Sequence, residues 1–327
     1  MEKRRLGENG PEIGAVGLGC MSFGGMFGPT TEAESHRTLA RALDLGIDHL
    51  DTANIYGNGV SEDMIGSFIR ANGNRFTIAT KAGIDGGPPR RFDNSPEYLR
   101  ANLEKSLRRL GVEHVALFYI HRRDQSRPIE DVMETLVRFK DEGKIGAIGL
   151  SEIAPSTLER ASAVHPVAAV QNEYSLWTRL PELGLVDACR RNGTALVAFS
   201  PLARGMFSTN PIDPDRFEAS DFRRSNPRFM APNFAYNQKV FDRFRIFAEA
   251  KGQPVAALAI AWVLSRAPHI IAIPGTRTAE HLDECAAGAG LTLSASDLAE
   301  IDEIMPAGFA HGDRYSDAQA NGPERYC

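Results

Sequence analysis

Positive charge is not in excess in this 327-residue chain: 37 Lys and Arg stand against 42 Asp and Glu, a formal net charge of -5. A surface that neutralises a row of phosphates needs the opposite balance, which argues against polymeric nucleic acid as a partner. No apolar run approaches the roughly 18 residues of a membrane span, and Lys3, Arg4 and Arg5 are not followed by the apolar stretch of a secretory leader. No membrane association is expected, and the cytoplasm is the expected location. Cysteine is scarce. Cys20, Cys189, Cys285 and Cys327 are spaced too widely for paired metal ligands or a disulfide framework, so each reads as a reduced thiol. Cys20, in a Gly-rich turn after an apolar run, leaves a reactive role open. No low-complexity linker divides the chain, and a single domain over 1–327 is expected, with the oligomeric state unknown.

What the sequence does contain is one period, repeated. Eight short apolar runs, "AVGLG", "IDHLD", "FTIATK", "VALFYIH", "KIGAIGLS", "VAAVQ", "ALVAFS" and "IIAIPG", are separated by segments of helical pattern. The runs lack polar alternation, as strands buried on both faces do. Ser95 and Pro96 suit a helix cap and first position, Leu99, Leu103, Leu107 and Leu110 its apolar stripe, and Gly111 its stop. Another helix is expected to start after Ser61, with Met64, Ile65, Phe68 and Ile69 inward. Eight strand-helix alternations point to a (β/α)8 TIM barrel of class α/β. The open dinucleotide-binding alternative loses ground because "GLGCMSFGG" has Ser22 where a third glycine belongs. An N-terminal hairpin, a long lid loop after strand 7 (Pro201–Asn233) and extra helices around Gln238–Lys251 and Ser296–Met305 complete the expected architecture, with an irregular tail after Pro306.

In such a barrel, side chains at the C-terminal strand ends converge on one mouth. The runs end in Asp51, Lys81, His121, Ser151, Gln171, Ser200 and Gly275. Taken singly, Asp51 serves as well for a turn cap, Lys81 for a snorkelling amine and His121 for a core histidine. Together, with Tyr56 on the loop beyond Asp51, they make a proton-transfer group. A phenol with pKa about 10 donates poorly to a carbonyl unless its anion is stabilised. An ammonium at about 4 Å, with an effective dielectric of about 20, supplies about 4 kcal/mol, enough to lower the phenol by about three units before desolvation takes part back. Asp51 would keep Lys81 charged and in place, and His121 would donate to the substrate oxygen.

"LDTANIYGNGVSE", "IATKAG", "LFYIHR", "GLSE", "VQNEYSLW", "FSPLARG" and "IPGTRTAEHLDE", in this order, resemble the successive motifs of the aldo-keto reductase superfamily across nearly the whole chain. "GLSE", "AVHP" and a late "RY" are similar to the branch containing perakine reductase. The resemblance implies NADPH (NADP+) bound in extended form, a small-molecule aldehyde or ketone as substrate, and a catalytic tetrad of Asp51, Tyr56, Lys81 and His121, with Tyr56 as general acid. The implied cofactor bed comprises Met21, Asp51, Ser151, Gln171, Phe199, Ser200, Pro201, Leu202, Arg204, Gly205, Ile273, Gly275, Thr276, Arg277 and Glu284. Ser151 and Gln171 would hold the carboxamide, Phe199 would stack on the nicotinamide, Arg204 would lie near the pyrophosphate and Arg277 would pair with the 2'-phosphate. Phe199 serves equally as a core strand residue. Tyr56, His121, Phe23 and Trp177, joined by Met26 and Phe27, are the expected substrate contacts, although such residues also serve as loop packing. Two positions depart from the commoner pattern: Glu152 replaces an Asn beside the serine, and Cys285 an Asn that contacts adenine.

A cofactor-binding regulatory protein resembling the β subunits of voltage-gated potassium channels is the main alternative. A metal-dependent hydrolase on the same barrel has little support, because only His121 among the histidines ends a run.

Overall fold

The structure, a computed structural model, describes residues 1–87, 90–219 and 221–326, so that Cys327 lies outside the described residues. An antiparallel hairpin, β1 (Lys3–Arg5) and β2 (Glu12–Gly14), leads into the barrel. Its strands are β3 (Leu18–Gly19), β4 (His49–Asp51) and β5 (Thr77–Ala82), then, after a small hairpin β6 (Ile84–Asp85) and β7 (Arg91–Phe92), β8 (Val115–Ile120), β9 (Ile145–Ser151), β10 (Ala169–Glu173), β11 (Ala195–Phe199) and β12 (Ile270–Ile273). All eight barrel strands are parallel neighbours in this order. Parallel bridges Val16–Ala272 and Gly19–Gly275 close the first strand onto the last.

Each of the eight apolar runs contributes one of these strands. Inside the barrel, Ala79, Leu117, Tyr119, Ala169, Val197 and Ile271 form a small packed layer, joined from the hairpin by Leu6 and Ile13. The hairpin turn sits beneath the N-terminal strand ends, where Glu8 N-H donates to Gly193 O at 2.7 Å. The other end is left to polar side chains.

The helices α1 (Glu32–Asp44), α2 (Val60–Asn72), α3 (Pro96–Leu110), α4 (Ile129–Asp141), α5 (Pro155–Val164), α6 (Leu185–Arg191), α7 (Asn233–Ala250), α8 (Val255–Ser265), α9 (Ala279–Ala287) and α10 (Ala295–Ile304) follow the strands. Helix α3 has the expected ends: Ser95 Oγ accepts from Tyr98 N-H, Pro96 is the first residue, and Gly111 takes φ 70 at the C-cap. Helix α2 corrects its expected start. Gly59, with φ 100, is the N-cap, and Ser61 lies within the first turn, its hydroxyl donating to Cys20 O at 2.8 Å. Ile65, Phe68 and Ile69 are buried as expected, and Met64 is half-buried.

The long segment after β11 folds into successive single 3-10 turns, with Phe207, Phe217 and Phe229 buried, before α7 begins at Asn233. Among the described residues, no helix or strand follows α10. Among the described residues, no helix is long and apolar enough to cross a membrane.

Candidate active site

Asp51 ends β4, and the chain turns at once into Tyr56–Gly59, where Gly57, Asn58 and Gly59 have φ of 60, 55 and 100. Three successive left-handed residues make a bend that ordinary side chains resist, which accounts for the "GNG" after the tyrosine. The bend turns Tyr56 back toward β5. Lys81 Nζ donates to the Asp51 carboxylate, to Thr52 O at 2.8 Å and to the Tyr56 hydroxyl at 3.4 Å. The His121 ring meets the Tyr56 ring edge-on, with centroids 5.7 Å apart. Lys81 and Asp51 are almost wholly buried, His121 is 7% exposed and Tyr56 is half-buried. The four residues expected to form the proton-transfer group are therefore brought together.

Their electrostatics correct one expectation. Burial is the largest influence on the Tyr56 phenol and pushes it above its ordinary value; the Lys81 ammonium draws it down without overcoming that. Tyr56 thus holds its proton at neutral pH, and the role left to Lys81 is to stabilise the phenolate once the proton has gone. Burial opposes the Lys81 charge, but the adjacent Asp51 and the Tyr56 oxygen more than offset it, so Lys81 remains an ammonium. Burial, then Arg122, Lys81 and Arg90, hold His121 far below the usual imidazole range and keep it neutral. Its Nδ1 is buried without a partner among the described residues.

The expected cofactor bed is only partly free. Gln171 Nε2 donates to the second Asp51 oxygen at 2.6 Å, which extends the Asp51–Lys81 pair through one end of the amide. Ser151 Oγ accepts from Arg122 Nη1 at 3.1 Å. Phe199 ends β11 half-buried. After it, Ser200, Ala203, Arg204 and Gly205 have φ of 50, 51, 58 and 98, with Pro201 buried and Leu202 half-buried. Such turned backbone forms concavities that suit anions.

The Arg204 side chain, expected near the pyrophosphate, is held by partners within the protein. It is 7% exposed, donates to Glu173 Oε2 at 3.0 Å and Arg314 O at 2.6 Å, and lies 4.8 Å over the Tyr315 ring. Buried Glu173 must be neutralised, and this guanidinium does so. Across the mouth, Ile273 ends β12 buried, Gly275 and Arg277 are exposed, and Thr276 precedes α9, whose N-cap is Thr278. Arg277 makes only a 3.4 Å contact with Pro29 O and pairs with no carboxylate among the described residues. Met21 and Glu284 are half-buried, and Cys285 is buried within α9.

Phe23 and Trp177, the expected substrate contacts, are enclosed by packing. Phe23 is 1% exposed within the main core, and Trp177, 4% exposed, packs edge-on against Phe229 and Phe241 under the Arg228 guanidinium. Aromatic rings so enclosed contribute packing. Met26 is 38% exposed, and half-buried Phe27 packs on Phe222. Buried Cys20, Cys189 and Cys285 are free thiols, all pushed up by burial, Cys189 and Cys285 to about 12, which removes the reactive role left open for Cys20.

Sequence reasoning missed Glu173 and Arg314. Arg314 donates to the carboxylates of Glu152 and Glu173, so the tail is ionically tied to the ends of β9 and β10. Glu152, with φ 56, also accepts from Glu173 N-H at 2.9 Å. Glu324 fastens the tail again through Arg123 and Ala154 N-H, both at 2.8 Å. A carboxylate ending the apolar "VQNE" was the available signal for Glu173, and membership of an "RY" pair in the tail was the one for Arg314.

The sequence profile of the Aldo/keto reductase family matches residues 15–306. The chain belongs to this family. This reductase is 38% identical over 315 residues to probable aldo-keto reductase 1 of Glycine max, covering 95% of this chain and 91% of that one. It is 36% identical over 320 residues to the aldo-keto reductase yakc of Schizosaccharomyces pombe, named for NADP(+), covering 95% and 94%. Its fold is similar to that of a glycerol dehydrogenase from Gluconobacter oxydans, at TM-score 0.83 and 29% identity over 92% of this chain and 94% of that one. The reductase is an oxidoreductase with the family's barrel.

Proposed function

We propose that this reductase converts aldehydes or ketones to alcohols with NADPH, using Tyr56 as the general acid, in one barrel domain spanning the chain. The observation that carries the reading is the placement of Lys81 Nζ between the Asp51 carboxylate and the Tyr56 hydroxyl, 3.4 Å from the latter, beside a neutral His121. NADPH, when bound, supplies the hydride. The Ser151 hydroxyl, the Phe199 ring, the turned backbone of Ser200–Gly205 and the exposed Arg277 would hold it, and the Arg277 guanidinium, which meets no carboxylate among the described residues, suits a 2'-phosphate.

Tyr56 gives its proton to the carbonyl oxygen as that oxygen gains negative charge, and the phenolate left behind is stabilised by the Lys81 ammonium. Asp51, itself held by Gln171, keeps that ammonium in place. Neutral His121 has one N-H, which donates to the same substrate oxygen. In the reverse direction the Tyr56 phenolate accepts the alcohol proton. Membership of the perakine reductase-like branch is part of the proposal. It is supported by the pairing of the Glu in "GLSE" with Arg314 of an Arg-Tyr pair in the tail.

The test is NADPH oxidation by the purified protein against a panel of aldehydes, ketones and pyridoxal, with NADH in parallel. Carbonyl-dependent turnover that prefers NADPH is expected. Tight NADPH retention without turnover on any member of the panel would overturn the reading in favour of a regulatory protein.

A further inference from the structure

Glu62, Arg109 and Thr80 stand outside the proton-transfer group but link the bend that carries Tyr56 to the residue before Lys81. Glu62 lies in the first turn of α2 and its side chain is fully buried. One carboxylate oxygen accepts from Thr80 Oγ1 at 2.6 Å, and Thr80 is the residue before Lys81 on β5. The other oxygen accepts from Arg109 Nη1 at 3.2 Å. Arg109 Nη2 donates in turn to Asn58 O at 3.2 Å, within the left-handed bend that carries Tyr56. The guanidinium occupies the space beside Gly59: a Cβ there would lie 2.1 Å from Arg109 Cζ. The Arg109 backbone is seated as closely, because a Cβ on Gly66 would lie 2.0 Å from its carbonyl oxygen. This route from the bend to β5 runs through a buried charge, which folding retains only when it is paired.

We propose that Glu62 and Arg109 are positioning residues that set the separation between the Tyr56 hydroxyl and Lys81 Nζ by bracketing the Tyr56 bend to β5. The inference rests on Tyr56 as the acid. The Coulomb coupling that stabilises the phenolate falls with distance, so a bend released by a fraction of an ångström to an ångström loses rate without losing the cofactor. The phenol faces Lys81, Asp51, Arg122 and His121, and of these only Lys81 is linked to the bend through Thr80 and Glu62.

The experiment compares wild type, Arg109→Met, Arg109→Lys and Glu62→Gln in turnover, NADPH affinity by fluorescence, the pH profile of kcat for alcohol oxidation, and amide hydrogen exchange. Arg109→Met is expected to lower kcat at least about tenfold, with the NADPH Kd unchanged within about twofold. The ascending limb of kcat should move to higher pH, because a phenol further from Lys81 gives up its proton less readily. Exchange at Tyr56–Gly59 should quicken while β5 stays protected. Arg109→Lys, which can reach Glu62 but not span both acceptors, should fall between; should Arg109→Met fail to fold, Arg109→Lys and Glu62→Gln decide. Folded variants with wild-type kcat, an unmoved limb or unchanged exchange at Tyr56–Gly59 would overturn the bracket. So would a loss of NADPH affinity as large as the loss of kcat. Absence of turnover in wild type would instead sink the reductase reading, and exchange alone would then judge the bracket.

Discussion

On the side of the mouth formed by β4, β5 and β8, polar side chains answer one another directly: Lys81 meets Asp51 and Tyr56, and His121 meets Tyr56. On the side formed by β9, β10 and β11, buried Glu152 and Glu173 are neutralised from elsewhere, by Arg204 after β11 and by Arg314 of the tail. The first side is a set of strand-end groups with complementary charges and a short loop. The second depends on chain that must fold back over the barrel, so its cations are taken by structure before any ligand can use them. A charged residue in a motif is thus available for ligand only where no buried partner of opposite sign claims it first.

Breaking the first side should give the largest effect. Tyr56→Phe removes only the donor hydroxyl and is expected to lower kcat by about 10²- to 10⁴-fold, with NADPH affinity by fluorescence titration nearly unchanged; near-full reductase activity would remove Tyr56 from its role. Lys81→Met should cost about 3–5 kcal/mol in denaturant unfolding, because it leaves the Asp51 carboxylate buried against Gln171 alone. It should abolish most turnover as well.

The second side separates structure from ligand binding. Arg277→Ala is expected to weaken NADPH by about 10- to 100-fold and NADH by far less, the worth of a charge-assisted contact of about 1.5–3 kcal/mol. Arg204→Met should do the reverse, lowering the melting temperature while changing NADPH affinity little; an affinity loss like that of Arg277→Ala would return Arg204 to the pyrophosphate.

The mildest probe is pH. Burial opposes the Glu173 charge, but Arg204, Arg314 and Arg228 hold its carboxyl down at about 2, below the ordinary 4.5. Its contribution to stability is therefore complete above about pH 4.5 and is lost as pH falls toward 2. Glu173→Gln should flatten this part of the curve of melting temperature against pH. An unchanged acid limb would show that the cations do not hold the group.

Where sequence reading succeeded, the relevant distances along the chain were short or the geometry repetitive. A strand end fixes where its last side chain points, so Asp51, Lys81 and His121 were assignable to one rim, with Tyr56 on the loop beyond Asp51. Where it fell short, a side chain was read for its chemistry without knowledge of its neighbours: the burial of Phe23 and Trp177, the hold of Gln171 on Asp51 and that of Arg204 on Glu173 were not legible. The fall of the Tyr56 pKa failed for the same reason, since the attraction of Lys81 could be written from a distance but the desolvation could not.

By itself the sequence determined the barrel and the ring of polar strand ends, because a repeated apolar run flanked by helical pattern has few ways to bury its surface. Only the tertiary structure decided which of those groups stay free. Pairing of buried charges depends on contacts such as Arg314 with Glu152, 162 residues apart, that no local pattern encodes.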